Sequence, residues 1–306
     1  MQGNIKQLLS EIQAGSHKAL ARGITIVENE LPGYETLLLS LQNTQNARVL
    51  GITGPPGAGK STLVNALLNY WIGQGKKIAV VAVDPSSPFN YGALLGDRIR
   101  MSEFYNHANV FIRSLASRGA LGGLHPRIIE ITDLIKNAPF DLILVETVGV
   151  GQSEVEVAGL ADCTVVTLVP EAGDDVQTLK AGIMEIANIF VVNKADREAA
   201  ETLYRNLRIM VHERAKDEQE IPVIKTIATE KNGIDELATI VEQYFATHNS
   251  APEKRLHLLT EKSWQIIQAR KMQNINKGKL RAELDAALAY PEFNIYAFTK
   301  RFEEEA

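Results

Sequence analysis

The 306-residue chain predicts a doubly wound α/β domain on a mostly parallel sheet, with helical extensions at both ends. Three observations carry this expectation. From Arg48 onward, short continuous β-branched runs alternate with helical patterns, as expected of strands buried on both faces of a parallel sheet. The first such run leads directly into the Gly-rich stretch Gly54-Pro-Pro-Gly-Ala-Gly59-Lys60-Ser61, which in turn opens a helix. Outside residues 46–249 the apolar residues follow helical spacing alone. The predicted division is an N-terminal helical extension over 1–45, the α/β domain over 46–249 and a C-terminal helical dimerisation arm over 250–306.

Taken in order, Ile5, Leu8, Leu9 and Ile12 recur at i, i+3, i+4 and i+7 and mark one face of a first helix. Ser16 is placed to cap a second helix carrying Leu20, Ile24 and Val27. Pro32-Gly33 breaks it, and Tyr34 to Leu41 starts a third. This apolar face suits packing on the main domain or binding a partner. The predicted strands are Val49–Thr53, Lys77–Val83, Val110–Leu115, Leu142–Glu146, Thr164–Val169, Ile189–Asn193 and Val223–Ala228. After Ser250-Ala-Pro252 the strands stop. Leu256, Leu259, Ile266 and Ile267 suggest a helix, Asn274 to Gly278 a break, and Leu280, Leu284 and Leu288 an apolar stripe ended by Pro291. A last helix carries Tyr296, Phe298 and Phe302. A surplus stripe of this kind is commonly buried in a symmetric dimer, so a homodimer is expected.

Bulk composition narrows the class. Hydrophobic residues make up 45% and charged residues 23%, enough for a sizeable core. A net charge of −5 offers no basic surplus for nucleic acid. The lone cysteine, Cys163, excludes a disulfide framework and fits a reducing compartment. The sequence shows no apolar run long enough to span a bilayer and no signal-peptide pattern after Met1, so a cytoplasmic protein without membrane partners is expected.

Gly54, Pro55, Pro56, Gly57, Ala58, Gly59, Lys60 and Ser61 match G-x-x-x-x-G-K-[ST], a loop that cradles phosphates. Glycine allows the backbone to approach phosphate oxygens, and the helix that starts near Thr62 aims N–H groups at the anion. Lys60 is expected at the β- and γ-phosphates and Ser61 on Mg²⁺. A Gly-rich turn that binds nothing is the alternative. Downstream, Asn193-Lys194-Ala195-Asp196 ends an apolar strand and matches N-K-x-D. A carboxylate at Asp196 accepts from both N1–H and the 2-amino group of guanine, donors that adenine lacks, and such a site discriminates by roughly 10⁴. The Lys194 stem suits the face of the base. Thr226-Ile-Ala228 ends the next strand, where a loop over the guanine would lie. A polar strand-end turn is the alternative for N-K-x-D.

Asp141-Leu-Ile-Leu-Val-Glu146 delivers a carboxylate to a strand end, the position for a group near Mg²⁺ and an attacking water. Gly149 follows and can present its N–H to a γ-phosphate. Asp84, in Val83-Asp-Pro85, and Asp97, in Gly96-Asp-Arg98, are two further candidates for the metal's surroundings, with a helix cap or turn as the alternative.

With these residues in view, the chain resembles the MeaB/ArgK/MMAA family, the methylmalonyl-CoA mutase-associated G proteins of the G3E group of P-loop GTPases. The motifs that carry the resemblance are the P-loop with Pro55-Pro56, Asp84-Pro-Ser-Ser, Gly92 to Met101, Glu146-Thr-Val-Gly-Val-Gly-Gln-Ser-Glu154, Gly173 to Glu185 and Asn193-Lys-Ala-Asp196. Asn90-Tyr91 departs from the small pair expected before Gly92. The resemblance implies a GTPase chaperone that gates cofactor loading of an adenosylcobalamin-dependent acyl-CoA mutase and protects it. GTP or GDP with Mg²⁺ would then bind, and cobalamin would not bind this chain directly. It also implies that Gly173 to Lys180 is a switch responding to the mutase, with Gln177 and Lys180 joining Lys60 and Glu146 as catalytic groups. Without the resemblance that stretch reads as a solvated helix start. Two other readings stay open. One is a metallochaperone GTPase for nickel enzymes, although Cys163 is alone and the six histidines lack ligand spacing. The other is a transport-linked kinase or ATPase, against which Asn193-Lys-Ala-Asp196 speaks. A module whose nucleotide is only structural is a further class.

Overall fold

The computed structural model describes residues 2–42, 47–84, 101–117, 124–147, 149, 153–172, 183–215, 220–248, 252–271, 277–290 and 292–300. The chain divides into two compact units, 1–251 and 252–306.

The first unit begins with helices α1 (Gln2–Gln13), α2 (His17–Glu28) and α3 (Tyr34–Leu39). Then come β1 (Arg48–Thr53), α4 (Lys60–Gly73), β2 (Ile78–Asp84), β3 (Val110–Ala116), α5 (Ile128–Lys136), β4 (Leu142–Glu146), α6 (Ser153–Leu160) and β5 (Cys163–Leu168). The unit closes with α7 (Ile183–Ile186), β6 (Ile189–Asn193), α8 (Ala200–Ala215), β7 (Val223–Thr226) and α9 (Ile234–Thr247).

The seven strands form one sheet in the order β3-β2-β4-β1-β5-β6-β7, with every pair parallel, where the sequence suggested a mostly parallel one. β2, β4, β5 and β6 are buried along their whole length, which is why their sequences are unbroken apolar runs rather than alternating ones. β7 ends at Thr226, two residues before the predicted Ala228. Ile227 turns back there and pairs antiparallel with Asn232 through N–H···O bonds of 3.0 and 3.2 Å.

Successive side chains along each strand point to opposite faces. Leu50, Ile52, Leu144 and Val165 meet Leu63, Leu67 and Trp71 of α4 and Leu237 and Val241 of α9. Val166, Leu168, Phe190 and Val192 meet Ala158 of α6 and Leu203, Leu207 and Val211 of α8. β1 lies between β4 and β5, so the chain crosses it when passing from one to the other. That is the switch point at which α/β sheets bind ligands, beyond the carboxyl ends of the strands.

Ile5, Leu8, Leu9 and Ile12 are buried, and α2 packs on α5, so of the two uses foreseen for the N-terminal face the chain shows packing. Ser16 caps α2 as its sequence suggests, its Oγ accepting the Ala19 N–H at 3.2 Å. Arg113 of β3 reaches back to pair with Glu28 of α2. His17 sits against two rings, 5.6 Å from Phe111 edge-on and 5.9 Å from Phe140 nearly parallel, centroid to centroid. Cys163 is buried in β5, and burial pushes its thiol well above the ordinary range, with Asp162 adding to the effect. It is a neutral core side chain rather than a thiolate ligand.

The second unit contains α10 (Pro252–Lys271), α11 (Lys277–Leu288) and α12 (Ile295–Lys300). Leu256, Trp264, Ile267, Leu288, Tyr290 and Tyr296 are exposed, whereas Phe298 is buried. Leu280 and Leu284 of the predicted stripe are half-buried, and Phe302 lies outside the described residues. Among the described residues no helix is long and apolar enough to cross a membrane.

His17 provides a test of the N-terminal packing. Burial holds its pKa below the ordinary 6.5. The unfolded chain therefore takes up a proton before the folded one does as pH falls, so stability is full above about 6.5 and declines below it. Thermal melts at pH 7.5 and 5.5 should show a smaller loss for His17→Phe than for the native chain. An equal loss would mean that His17 is not part of the acid sensitivity.

Candidate functional site

The site grows from the end of β1. Beyond Thr53 the backbone needs a conformation that only glycine adopts without strain. Gly54 has φ 142°, and a Cβ there would lie 2.0 Å from the Thr167 carbonyl oxygen of β5. The loop from Pro55 to Gly59 then returns to start α4 at Lys60. Ala58 is buried, Pro56, Gly57 and Thr62 stand at the exposed rim, and Pro55 is intermediate. The Lys60 ammonium is buried, and it donates to the carbonyl oxygens of Gly54 at 2.9 Å and Pro55 at 3.1 Å. Residues 54–62 therefore form a loop closed over its own lysine at the N-terminus of a 14-residue helix. Such an end favours an anion through its open N–H groups and its dipole.

Ser61 lies one residue further along and is also buried. Its Oγ donates to Glu146 Oε1 at 2.6 Å. Glu146 is the last residue of β4, the strand beside β1, in register with Ile52. Asp84 ends β2 on the other side of β4, two residues past Ala82, the partner of Glu146. It too is buried, and its backbone carbonyl accepts the Ser117 N–H at 3.0 Å. The Ser61 hydroxyl at the start of α4 and the carboxylates of Glu146 and Asp84 at adjoining strand ends offer only oxygen donors, which fits a hard cation such as Mg²⁺.

Gly149 closes the site from above. It has φ 82°, and a Cβ there would stand 2.4 Å from Gly54 O and 2.5 Å from Lys60 Nζ. The backbone at Gly149 thus lies directly on the phosphate loop and its lysine, where its N–H can serve a terminal phosphate.

The third side is formed by β6 and β7. Asn193, the last residue of β6, uses both ends of its buried amide. Its Nδ2 donates to Ala58 O at 2.9 Å, and its Oδ1 accepts from Thr226 Oγ1 at 3.1 Å and Ala228 N at 3.3 Å. Lys194, at φ 55°, stretches over the rim to donate to Gly57 O at 2.8 Å. The Ala195 N–H bonds Thr226 O at 3.0 Å, and Asp196 follows, exposed. Ala228 begins the turn after β7 and is buried. Asn193 and Lys194, more than a hundred residues from the loop in sequence, thus bond Ala58 and Gly57, with Ala228 held to Asn193 and Asp196 two residues further on.

Asp97, Gln177 and Lys180 lie outside the described residues, as does Asn90-Tyr91. Two participants escaped the sequence. Thr53 and Thr147 are buried and share a hydroxyl–hydroxyl bond of 2.9 Å at the ends of β1 and β4. Their signal was a hydroxyl residue at each of two strand ends, visible as a pair only once those strands are known to be neighbours.

Comparison with known proteins identifies relatives over most of the chain. A family model described as methylmalonyl Co-A mutase-associated GTPase MeaB matches residues 20–279. A Pyrococcus abyssi protein is 40% identical over 294 residues, covering 94% of this chain and 89% of its own. GTPase ArgK of Escherichia coli is 38% identical over 77% of this chain and 74% of its own length. The mouse protein named methylmalonic aciduria type A homolog, mitochondrial, is 38% identical over 63% of this chain and 50% of its own. Among solved structures, one titled LAO/AO transport system kinase superposes with a TM-score of 0.69 at 28% identity, covering 99% of this chain and 97% of its own.

The Asn193 hub generates a stability test. Asn193→Ala leaves a buried carbonyl, hydroxyl and N–H without their partner, each costing about 1–3 kcal/mol at most. Denaturant unfolding should report a loss of at least ~2 kcal/mol for Asn193→Ala. The half-buried Lys194, whose ammonium reaches the rim, should on change to Ala alter stability by less than ~0.5 kcal/mol. Equal effects would remove Asn193 from its place as the tie between the two loops.

Proposed function

The chain belongs to the methylmalonyl-CoA mutase-associated GTPase family, the MeaB/ArgK/MMAA group of G3E P-loop GTPases, and from that premise we propose that it is a GTP-hydrolysing chaperone of an adenosylcobalamin-dependent acyl-CoA mutase. The observation that carries the GTPase part is the Asn193 side chain, which joins a phosphate loop and an N-K-x-D strand end into one site. The mutase part rests on the family description and on the name of the mouse relative.

In this reading GTP lies with its phosphates on residues 54–62 and its base against Lys194, Asp196 and the turn at Ala228. Lys60 exchanges its loop carbonyls for the β- and γ-phosphate oxygens, which offer full rather than partial negative charge. Ser61, Glu146 and Asp84 hold Mg²⁺, with Asp97 as a further candidate, and the ion when bound neutralises charge on the phosphates. Gly149 gives its N–H to the γ-phosphate. Glu146 orients the water that attacks it, releasing GDP and phosphate. The buried cradle supplies fixed dipoles where charge develops, the largest contribution in most such sites.

Hydrolysis in the free chain is slow, because a cation beyond Lys60 is needed to meet charge on the leaving phosphate, a contribution worth roughly 10³–10⁵ in rate. Lys180, with Gln177 on the same stretch, supplies it when the mutase selects that state. The protein works as a homodimer through residues 250–306, a reading supported by the exposed Leu256, Trp264, Ile267, Leu288 and Tyr296 of the second unit. Cobalamin is carried by the mutase, not by this chain.

Two measurements test these assignments. In titrations with Mg²⁺, GTP and GDP should bind and ATP should not. Asp196→Asn should weaken guanine nucleotides by roughly 10–100-fold, the worth of one charge-assisted hydrogen bond. Comparable affinities for ATP and GTP would sink the guanine assignment. In single-turnover hydrolysis with and without the cognate mutase, Glu146→Ala should slow both reactions by roughly 10²-fold. Lys180→Ala should keep the basal rate and lose most of the stimulation. Full stimulation of Lys180→Ala would leave residues 173–180 as an ordinary helix start.

A further inference from the structure

The end of β4 is gripped from both faces of the sheet. Leu142 and Leu144 face α4, and by alternation so does Glu146, which meets Ser61 there at 2.6 Å. Thr147 is the next residue and faces the opposite side, where it meets Thr53 at 2.9 Å. On β1 the same alternation holds. Leu50 and Ile52 face α4, whereas Gly51 faces α6, where a Cβ would touch Val157, and Thr53 follows on that side. The backbone adds one more link, Thr147 N–H to Ile52 O at 3.1 Å. Thr53 is fully buried and Thr147 is 2% exposed, so neither hydroxyl can turn to water instead. Two residues after Thr147 comes Gly149, packed on Gly54 and Lys60 so closely that no side chain fits between.

We propose that the Thr53–Thr147 hydroxyl pair is a positioning clamp for GTP hydrolysis. It holds Glu146 and Gly149, which flank Thr147 in sequence, at fixed places over the phosphate loop. The proposal rests on the GTPase reading and deepens it by naming residues that touch neither nucleotide nor metal. Its physical basis is that a strand end with one anchor can pivot about it, whereas a second bond on the opposite face removes that freedom. The nucleophile's water and the γ-phosphate are then served by groups whose positions do not depend on the nucleotide being present. Misplacement by an ångström in such a site costs on the order of 10²-fold in rate without loss of binding.

The experiment separates clamp from scaffold by using a property of buried hydrogen bonds. Losing one partner leaves the other unsatisfied, but replacing both with apolar groups of the same shape is close to neutral for stability. Thr147→Val and Thr53→Val should each lower the melting temperature, and the double variant should recover most of the loss. Turnover should not recover with it. In the double variant kcat should fall roughly ten- to a hundredfold while GDP affinity stays within about twofold of the native chain. The Mg²⁺ concentration for half-maximal turnover should rise, and amide exchange in the peptide carrying Thr147 and Gly149 should quicken without nucleotide. Thr147→Ser, which keeps the hydroxyl, should restore native kcat and exchange. A double variant with native kcat and native exchange would overturn the clamp, as would a Thr147→Ser variant as slow as Thr147→Val. Failure of the GTPase reading looks different: the native chain itself would neither bind guanine nucleotide nor turn it over, while the exchange comparison would still decide the clamp.

Discussion

The Asn193 amide is the constraint around which the site is organised. It is buried, so both of its ends must find partners inside the protein, since an amide left unpaired there forfeits the hydrogen bonds water would have given it. The partners it finds are a carbonyl of the phosphate loop on one side and a hydroxyl and an N–H of the β7 turn on the other. Its satisfaction therefore fixes the distance between two loops that come from strands three places apart, β1 and β7 with β5 and β6 between them. The frame between the two loops is thus assembled during folding, and the entropy of ordering it is met there.

The same logic governs the other side of β1. Ser61 at the start of α4 and Glu146, Thr53 and Thr147 at strand ends are buried polar groups, and they satisfy one another in pairs on opposite faces of the sheet. Parallel strands make this economical. Consecutive residues alternate faces, so two neighbouring side chains on one strand can anchor it above and below. Lys60 follows the rule as well, its ammonium held by the carbonyls of its own loop. Each of these bonds is modest by itself, about 1 kcal/mol net, but each would be costly to leave half made.

The two units of the chain contrast with each other. In the first, most apolar residues are buried by the sheet and its helices, and the N-terminal extension buries its stripe, with His17 held against two phenylalanine rings and Arg113 paired to Glu28. In the second, large apolar side chains such as Trp264 and Tyr290 remain exposed.

What the sequence by itself determined was whatever is written in contiguous residues. The buried runs announced a parallel sheet, Ser16 its helix cap, and Gly54 to Ser61 a phosphate loop, because backbone conformation and burial period are local properties. The ends of elements were less legible. β7 stops at Thr226 because Ile227 pairs with Asn232, a bond that no pattern within the strand foretells. Only the tertiary structure decided which strand ends are neighbours. Glu146 and Asp196 were readable as carboxylates at or just beyond strand ends, yet the meeting of Ser61 with Glu146, of Asn193 with Ala58 and of Thr53 with Thr147 follows from the strand order β2-β4-β1-β5-β6. That order is set by crossovers packing helices on both faces, a global requirement of burying every strand. Threonines 94 positions apart carry no local mark of the bond they share.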